Sequence, residues 1–562
     1  MRYDFTDWLS LSARAGIDHY VIEREEVNPW GTGFFPLGAI WDREFRYTQI
    51  DTDVILGIEK NINDKFSVNA LVGANSNYIK DQELVNLGIF FVVPGLENID
   101  NTESQTPSKT FNERKIGSIY GSVELSYNRW AYLTFTGRND WFSTLSFPGK
   151  TSPNDDFYSS INTSLVLSDA LTMPKFINFL KFRGGYSKVA GGSDEAYQLS
   201  LTYDFFADHE GQNLVQINGE QVPNANLVAF SKNEFELGFD TRIFNNRLSL
   251  DLAYYRNETI NDIVPVNTSL TSGYLSALAN TGVVENKGIE LLISGSPIKA
   301  KDFVWNTSFN ISHNKGTVLA TNDNNSNITV GLPRTLNIEV AQIVGEPFGT
   351  LFGNSYSRDD NGNIRYEIDT NGVPLAVVGD RKILGQGVSP TAFGVTNTFT
   401  YKDFRLSFLI DGKFGGQIYA GSNAVLTENG LHKQTLEGRE NGLTVSGINA
   451  ATNQSFTTTI APENLQSYWG RISGIAEHFI EDNDFIKFRQ LSLGYSFPNR
   501  VLKNTFFDSV HISATAYNFF FINRSVENID PESDYQTGNA QGLDYFGVPP
   551  SKSYGLNINV KF

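Results

Sequence analysis

The chain has 562 residues, 62 acidic against 44 basic, for a formal charge of −18, and it contains no cysteine. That balance argues against a nucleic-acid partner, because neutralising phosphates needs clustered Lys and Arg. A thiol-free chain has nothing to mispair during export into an oxidising compartment. Mean hydropathy is −0.26, and no apolar run approaches the roughly 20 residues of a membrane-spanning helix. A helical membrane protein is therefore excluded. A β-barrel is not, since its strands place apolar residues only at every second position.

At this length one ordinary globular core is too small, yet no linker or composition break divides the chain. One large closed sheet resolves the conflict. The opening residues, Met1 to Phe5, lack the apolar core of a signal peptide, so the beginning of the protein is expected ahead of Met1 or on another chain. The first spanning strand is read from Phe5 to about Val21, with Leu9, Leu11, Ala13, Ala15 and Ile17 on one face. An aromatic loop follows at 23–41, with Trp30, Phe34, Phe35 and Trp41. The chain returns through Val54, Leu56 and Ile58, turns at Asn63 and Asp64, and leaves through Phe66, Val68, Ala70 and Val72.

From there short turns alternate with long polar excursions. Compact turns are read at Asn128-Arg129, Asn245-Asn246, 297–302, Lys402-Asp403 and 498–508, with a longer one at 168–179. Between them lie long loops at 80–114, 143–156, 189–227, 258–285, 316–390, 412–483 and 521–550. Short turns on one side and long loops on the other are the pattern of an outer-membrane barrel, with periplasmic turns and extracellular loops.

The strands between them alternate. Leu248, Leu250, Leu252 and Tyr254 oppose Arg247, Ser249 and Asp251, and the same pattern runs through Phe404, Leu406, Phe408 and Ile410. The phase slips at Phe488-Arg489-Gln490-Leu491, which reads as a bulge or a membrane exit. The chain closes on Tyr554, Leu556, Ile558, Val560 and Phe562, alternating with Gly555, Asn557, Asn559 and Lys561, the form of a C-terminal signal for barrel-assembly machinery. The fold class is all-β, a transmembrane antiparallel barrel with about sixteen strands present. Trp8, Trp130 and Trp305 follow short turns, where indole rings form interfacial girdles.

Four segments carry a family resemblance: Thr6-Asp7-Trp8-Leu9-Ser10-Leu11, Gly137-Arg138-Asn139-Asp140-Trp141, Glu285-Asn286-Lys287-Gly288-Ile289-Glu290-Leu291, and Asp484 to Tyr495. Gly379-Asp380-Arg381 and Tyr517-Asn518-Phe519 add two shorter ones. In this order they resemble SusC/RagA-type TonB-dependent outer-membrane transporters of Bacteroidota. The resemblance implies a barrel of about 22 strands with a plugged lumen, of which residues 1–562 would be the C-terminal part, without plug, TonB box or signal peptide. It implies import of oligosaccharides or peptides with a SusD-like lipoprotein as partner. It also implies TonB coupling through the missing plug portion, outer-membrane lipid around the wall, and no cofactor.

Catalytic chemistry is poorly represented. His19, His209, His313, His432, His478 and His511 are scattered, with no HExxH and no GxSxG elbow. Asp359, Asp360 and Asn361 offer oxygens to calcium, but Ile368 stands where an EF-hand needs its closing glutamate, and ordinary solvated turn chemistry is the better account of the stretch. Substrate contact falls to external aromatics, Trp30, Phe34, Phe35, Trp41, Trp141, Tyr468 and Trp469, whose faces stack on sugar rings or peptide side chains. Two other readings stay open: a passive porin closed by these strands alone, and a surface-binding protein that transports nothing.

Overall fold

The computed structural model describes the chain except residues 151, 218–220, 269, 273, 275, 323, 332–336 and 535–537. The side chains at 204, 206–209, 216, 217, 267 and 270, including that of His209, also lie outside the described residues. The chain divides into two compact units: Met1–Leu165, Gly184–Phe235 and Thr259–Thr281 in the first; Val166–Arg183, Glu236–Glu258 and Gly282–Phe562 in the second. Among the described residues the largest sheet counts 18 strands. Two of them, Arg2–Thr6 and Gln221–Val222, are short; the remainder match the sixteen read from the alternation.

In the first unit an antiparallel ladder runs through Leu9–Asn28, Ala39–Asn61, Phe66–Phe91, Thr102–Tyr127, Ala131–Phe142 and Asp155–Val166. The period of two sorts these strands into faces. Across one face the register lines up Leu9, Ile58, Ala70, Val123, Phe135 and Ile161 in a single apolar row. Asn128 and Arg129 both take positive φ, 48° and 63°, the left-handed backbone with which the short connection between paired Tyr127 and Ala131 follows the twist of the strands.

Two expectations are corrected here. The strand expected from Phe5 begins at Leu9 instead, because the chain reverses at Asp7 and Trp8. Arg2–Thr6 pairs back on it, with Thr6 Oγ1 accepting from Leu9 N at 3.1 Å. The loops read at 23–41 and 80–114 are also much shorter. Phe66–Phe91 and Thr102–Tyr127 are each 26 residues long and stay paired until Phe91 meets Thr102. At about 3.3 Å per residue such a strand runs roughly 85 Å, whereas about 9–11 residues cross a bilayer. Alternation marks only the part in lipid, and beyond it water wets both faces, so the sequence pattern fades while the backbone ladder continues.

In the second unit the strand Ser276–Lys299 from Gly282 onward, Phe303–Ala320, Thr391–Tyr401, Phe404–Phe414, Phe485–Ser496, Ser509–Arg524 and Ser553–Lys561 pair in that order, all antiparallel. One row joins Phe303, Tyr401, Phe404, Tyr495, Ile512 and Ile558; the next joins Trp305, Phe399, Leu406, Leu493, Ala514 and Leu556. These side chains have no protein layer over them: Phe404 is 53%, Leu493 53% and Ile558 60% exposed. Apolar surface on that scale requires an apolar solvent. The two rows nearest the short turns are rich in aromatics, with Phe404 and Tyr495 rings 4.7 Å apart in the first and Trp305 stacked on Phe399 at 5.8 Å in the second, as an interfacial girdle demands. Trp305 Nε1 donates to Asn397 Oδ1 at 2.9 Å, which satisfies a polar pair on the greasy face.

The excursions read as loops at 316–390 and 412–483 are folded. Ile338–Gln342, Thr350–Tyr356 and Val378–Gln386 form one small antiparallel sheet; Arg365–Ile368, Leu443–Asn449 and Ser455–Ile460 belong to another. With helices Gly421–Glu428 and Leu465–Ser473 they enclose a core that includes Ile338, Leu351, Tyr419, Trp469 and Ile475. These insertions depart from the strand ends opposite the short turns.

Candidate functional site

The polar face of the wall is where function can reside, because lipid occupies the other. In the first unit it carries a hydrogen-bonded chain. Tyr47 Oη donates to Gln49 Oε1 (2.7 Å), Gln49 Nε2 to Asp51 (2.9 Å), and Asn75 Nδ2 bridges Asp51 and Asp53 (3.1 Å each). Tyr120 Oη donates to Asp53 at 3.0 Å, the Arg138 guanidinium lies 5.3 Å from the Tyr120 ring, and Arg138 Nε and Tyr158 Oη both donate to Asp140 at 2.6 Å. Every acid in the chain has a donor, so the face is pre-ordered rather than a bare field of charge. Sequence reasoning missed this set, although Arg138 and Asp140 fall in a segment that carried the family resemblance.

The second unit has its own polar face, which opens into a hollow of about 810 Å³, lined by Arg183, Asp251, Glu290, Asn310, Ser312 and Asp411 among others. Arg183 spans Glu236 (3.1 Å) and Asp251 (3.0 Å). Glu285 receives Arg256 at 2.7 Å and Lys287 at 3.2 Å. Gly288, three residues after Glu285, is needed for its missing side chain: a Cβ there would sit 2.6 Å from Tyr255 Oη.

The bulge expected at Phe488 to Leu491 is present. Leu409 pairs with Gln490 and Ile410 with Phe488, leaving Arg489 as the extra residue. Its guanidinium reaches Asp411 (2.7 Å), Asn518 (3.0 Å) and Glu532 (2.7 and 2.9 Å). Lys487, whose side chain is 3% exposed, donates to the same Glu532 at 2.7 Å. Burial alone would raise the Glu532 carboxyl, but hydrogen bonds from Arg489 and Lys487 outweigh it and hold the group below its usual range.

The aromatic candidates separate. Phe35 packs edge-on against Phe34 (5.0 Å) and Trp41 (5.3 Å) at the tip of the hairpin between Leu9–Asn28 and Ala39–Asn61. Phe34 is 87% exposed, and Trp30 and Trp141 are also exposed. Tyr468 and Trp469 meet edge-on at 5.1 Å in the second unit, but Trp469 is 8% exposed and belongs to the insertion core. It also borders a crevice of about 390 Å³ with Thr427, Arg439 and Gln466. Beside it Tyr356 Oη meets His478 Nδ1 at 2.8 Å, and His478 Nε2 meets Gln434 Oε1 at 3.1 Å.

At the calcium candidate, Asp359 is taken up by its own turn: Oδ1 accepts from Asn361 N (3.0 Å) and Asn363 N (2.8 Å), and Oδ2 from Asn363 Nδ2 (3.0 Å). Those donors, led by the Asn363 side chain, hold its carboxyl below the usual range. Among the described residues no group of three or more His, Asp or Glu could hold a metal. The terminal residues Tyr554, Leu556, Ile558, Val560 and Phe562 share the lipid face, paired to Ser509–Arg524 up to Val560.

Apolar rows outward and a hydrogen-bonded polar wall inward define an outer-membrane β-barrel wall with short periplasmic turns and long extracellular insertions. Residues 1–465 match the family described as TonB dependent receptor-like, beta-barrel, and the chain belongs to it. TonB-dependent receptor P3 of Formosa agariphila is 27% identical over 491 residues, covering 81% of this chain and 46% of that protein. The TonB-dependent receptor SusC of Bacteroides thetaiotaomicron is 26% identical over 476 residues, covering 79% and 43%. A solved structure of the RagAB peptide transporter superposes over 100% of this chain and 61% of its own, with a TM-score of 0.78 at 17% identity. The chain thus spans about half the length of the curated relatives it matches.

Proposed function

We propose that this chain forms the C-terminal wall and external insertions of a TonB-dependent importer that takes up oligosaccharides or peptides with a SusD-like surface lipoprotein. The observation that carries the reading is the two-faced wall: lipid-facing rows on one side, and on the other an ordered polar lining with an 810 Å³ hollow. Likeness to the RagAB peptide transporter supports the peptide class, and the family resemblance read from the sequence supplies the oligosaccharide class. In this reading the plug and TonB box lie upstream and couple TonB to the lumen. Exposed Trp30, Phe34 and Trp141, with half-buried Phe35 packed against Phe34, offer faces to substrate or to the lipoprotein; Tyr468 and Trp469 act from the insertion.

The test is uptake of labelled oligosaccharides and peptides by cells carrying or lacking the gene, with and without a functional TonB system. Import expects uptake of one class that needs both. Uptake that survives loss of TonB would support a passive pore instead, and unchanged uptake on deletion would support a surface-binding role.

A further inference from the structure

The buried charge cluster at the Arg489 bulge has no part in that reading, and it ties together segments distant in sequence. Lys487 and Arg489 both project from the wall strand Phe485–Ser496 onto Glu532, with Asp530 at 3.9 Å from Lys487 and Asp411 on the far side of Arg489. The Lys487 ammonium also lies 4.5 Å from the Phe521 ring. A lysine this buried is retained only when paired, so the segment bearing Glu532 is fixed to the wall at that point.

The same segment is fixed to the insertions at other points. Val526 and Ile529 are buried with Ile418 and Ala420. Leu543 and Asp544 add as a parallel strand to Tyr419 and Ala420, and Asp544 Oδ2 accepts from the backbone N–H of Ser422, near the start of helix Gly421–Glu428, at 3.1 Å. Asn423 Nδ2 donates to the Glu527 carbonyl at 3.2 Å. Gly542 takes φ +98°, and a Cβ on it would overlap the Gly387 backbone, so only glycine lets the two segments meet so closely.

We propose that residues 525–534 and 541–544 form a latch that fastens the folded insertion around Gln417–Ala420 and Gly421–Glu428 to the barrel wall, with Glu532 as its bolt. Wall and insertion then open only together with the ion cluster, not by independent fraying of an external loop. The latch is a property of the fold and stands whether or not the protein imports anything.

Hydrogen exchange on the intact protein in outer-membrane vesicles tests it. Glu532→Gln keeps the shape and removes the charge. It is expected to speed exchange at least tenfold both in 525–534 and in 417–428, while Phe404–Phe414 stays protected. Faster exchange confined to 525–534, or no change, would overturn the latch. Gly542→Ala breaks the insertion side without touching a charge and is expected to release 417–428 while the amides around Lys487 stay protected. Unchanged 417–428 in that variant would also overturn it.

Discussion

Leu493→Arg is the substitution that most directly separates lipid from water. Leu493 lies one row inside the aromatic row of Phe404 and Tyr495, flanked by Leu406 and Ala514, and is 53% exposed with no protein above it. Four rows, from Tyr495 through Leu493 and Leu491 to Phe488, span roughly 20 Å at two residues per row, close to the ~25 Å apolar band of such barrels. Leu493 thus sits well inside the hydrocarbon. An arginine near the midplane costs about 2–4 kcal/mol; one row from the girdle, about 2–3 kcal/mol is expected, roughly a 30- to 140-fold loss in the folding constant. Ser492→Arg, one residue away on the polar face, is expected to change stability by no more than about 0.5 kcal/mol. Guanidinium unfolding of the protein in lipid vesicles, followed by tryptophan fluorescence, reads both. Equal costs for the two variants, or a larger cost for Ser492→Arg, would refute the assignment of faces.

Other substitutions probe the polar wall and the insertions. Arg138→Met removes a charged donor from Asp140 and leaves it Tyr158; a loss of about 2 kcal/mol is expected from the same unfolding assay, and a loss below about 0.5 kcal/mol would show that the wall network is not ordered. Trp469→Ala empties the insertion core and is expected to cost it about 3–5 kcal/mol, read as faster exchange of Leu465–Ser473 with the wall strands unaffected. His478 titrates below its ordinary value of 6.5, first because burial disfavours the imidazolium and second because His432 repels it. A depressed folded value stabilises the insertion at pH above the ordinary histidine range, and that contribution is lost as pH falls through 6.5 and below. Protection of Leu465–Ser473, taken relative to intrinsic exchange at each pH, should therefore fall on mild acidification in the native protein and respond less in His478→Gln.

The parts of the fold legible in the sequence were those in contact with lipid. Leu406 and Leu493 alternate with Arg405 and Ser492 because each must meet a different solvent, and the slip at Arg489 broke that alternation visibly. Beyond the bilayer the rule lapses. Nothing in the polar run after Tyr78 distinguishes a strand wetted on both faces from a loop, so the tall ladder to Phe91 went unread. The insertions were illegible for another reason. Ile338, Leu351, Tyr419 and Trp469 come from separate excursions and build one core only through tertiary contacts, with no period to reveal them. The Glu532 bolt lies 43 residues from Arg489, in a stretch that reads as an ordinary acidic loop.

The absence of native cysteine from this chain makes a site-directed spin-label scan of Phe485–Ser496 the most direct test of the central claim, that lipid bathes one face of these strands and water the other. Labels at 491, 493 and 495 are predicted to collide with dissolved oxygen and be shielded from a water-soluble nickel chelate, with 490, 492 and 494 behaving in the opposite sense. Collision profiles in phase along the strand, or apolar positions shielded from both reagents, would contradict it.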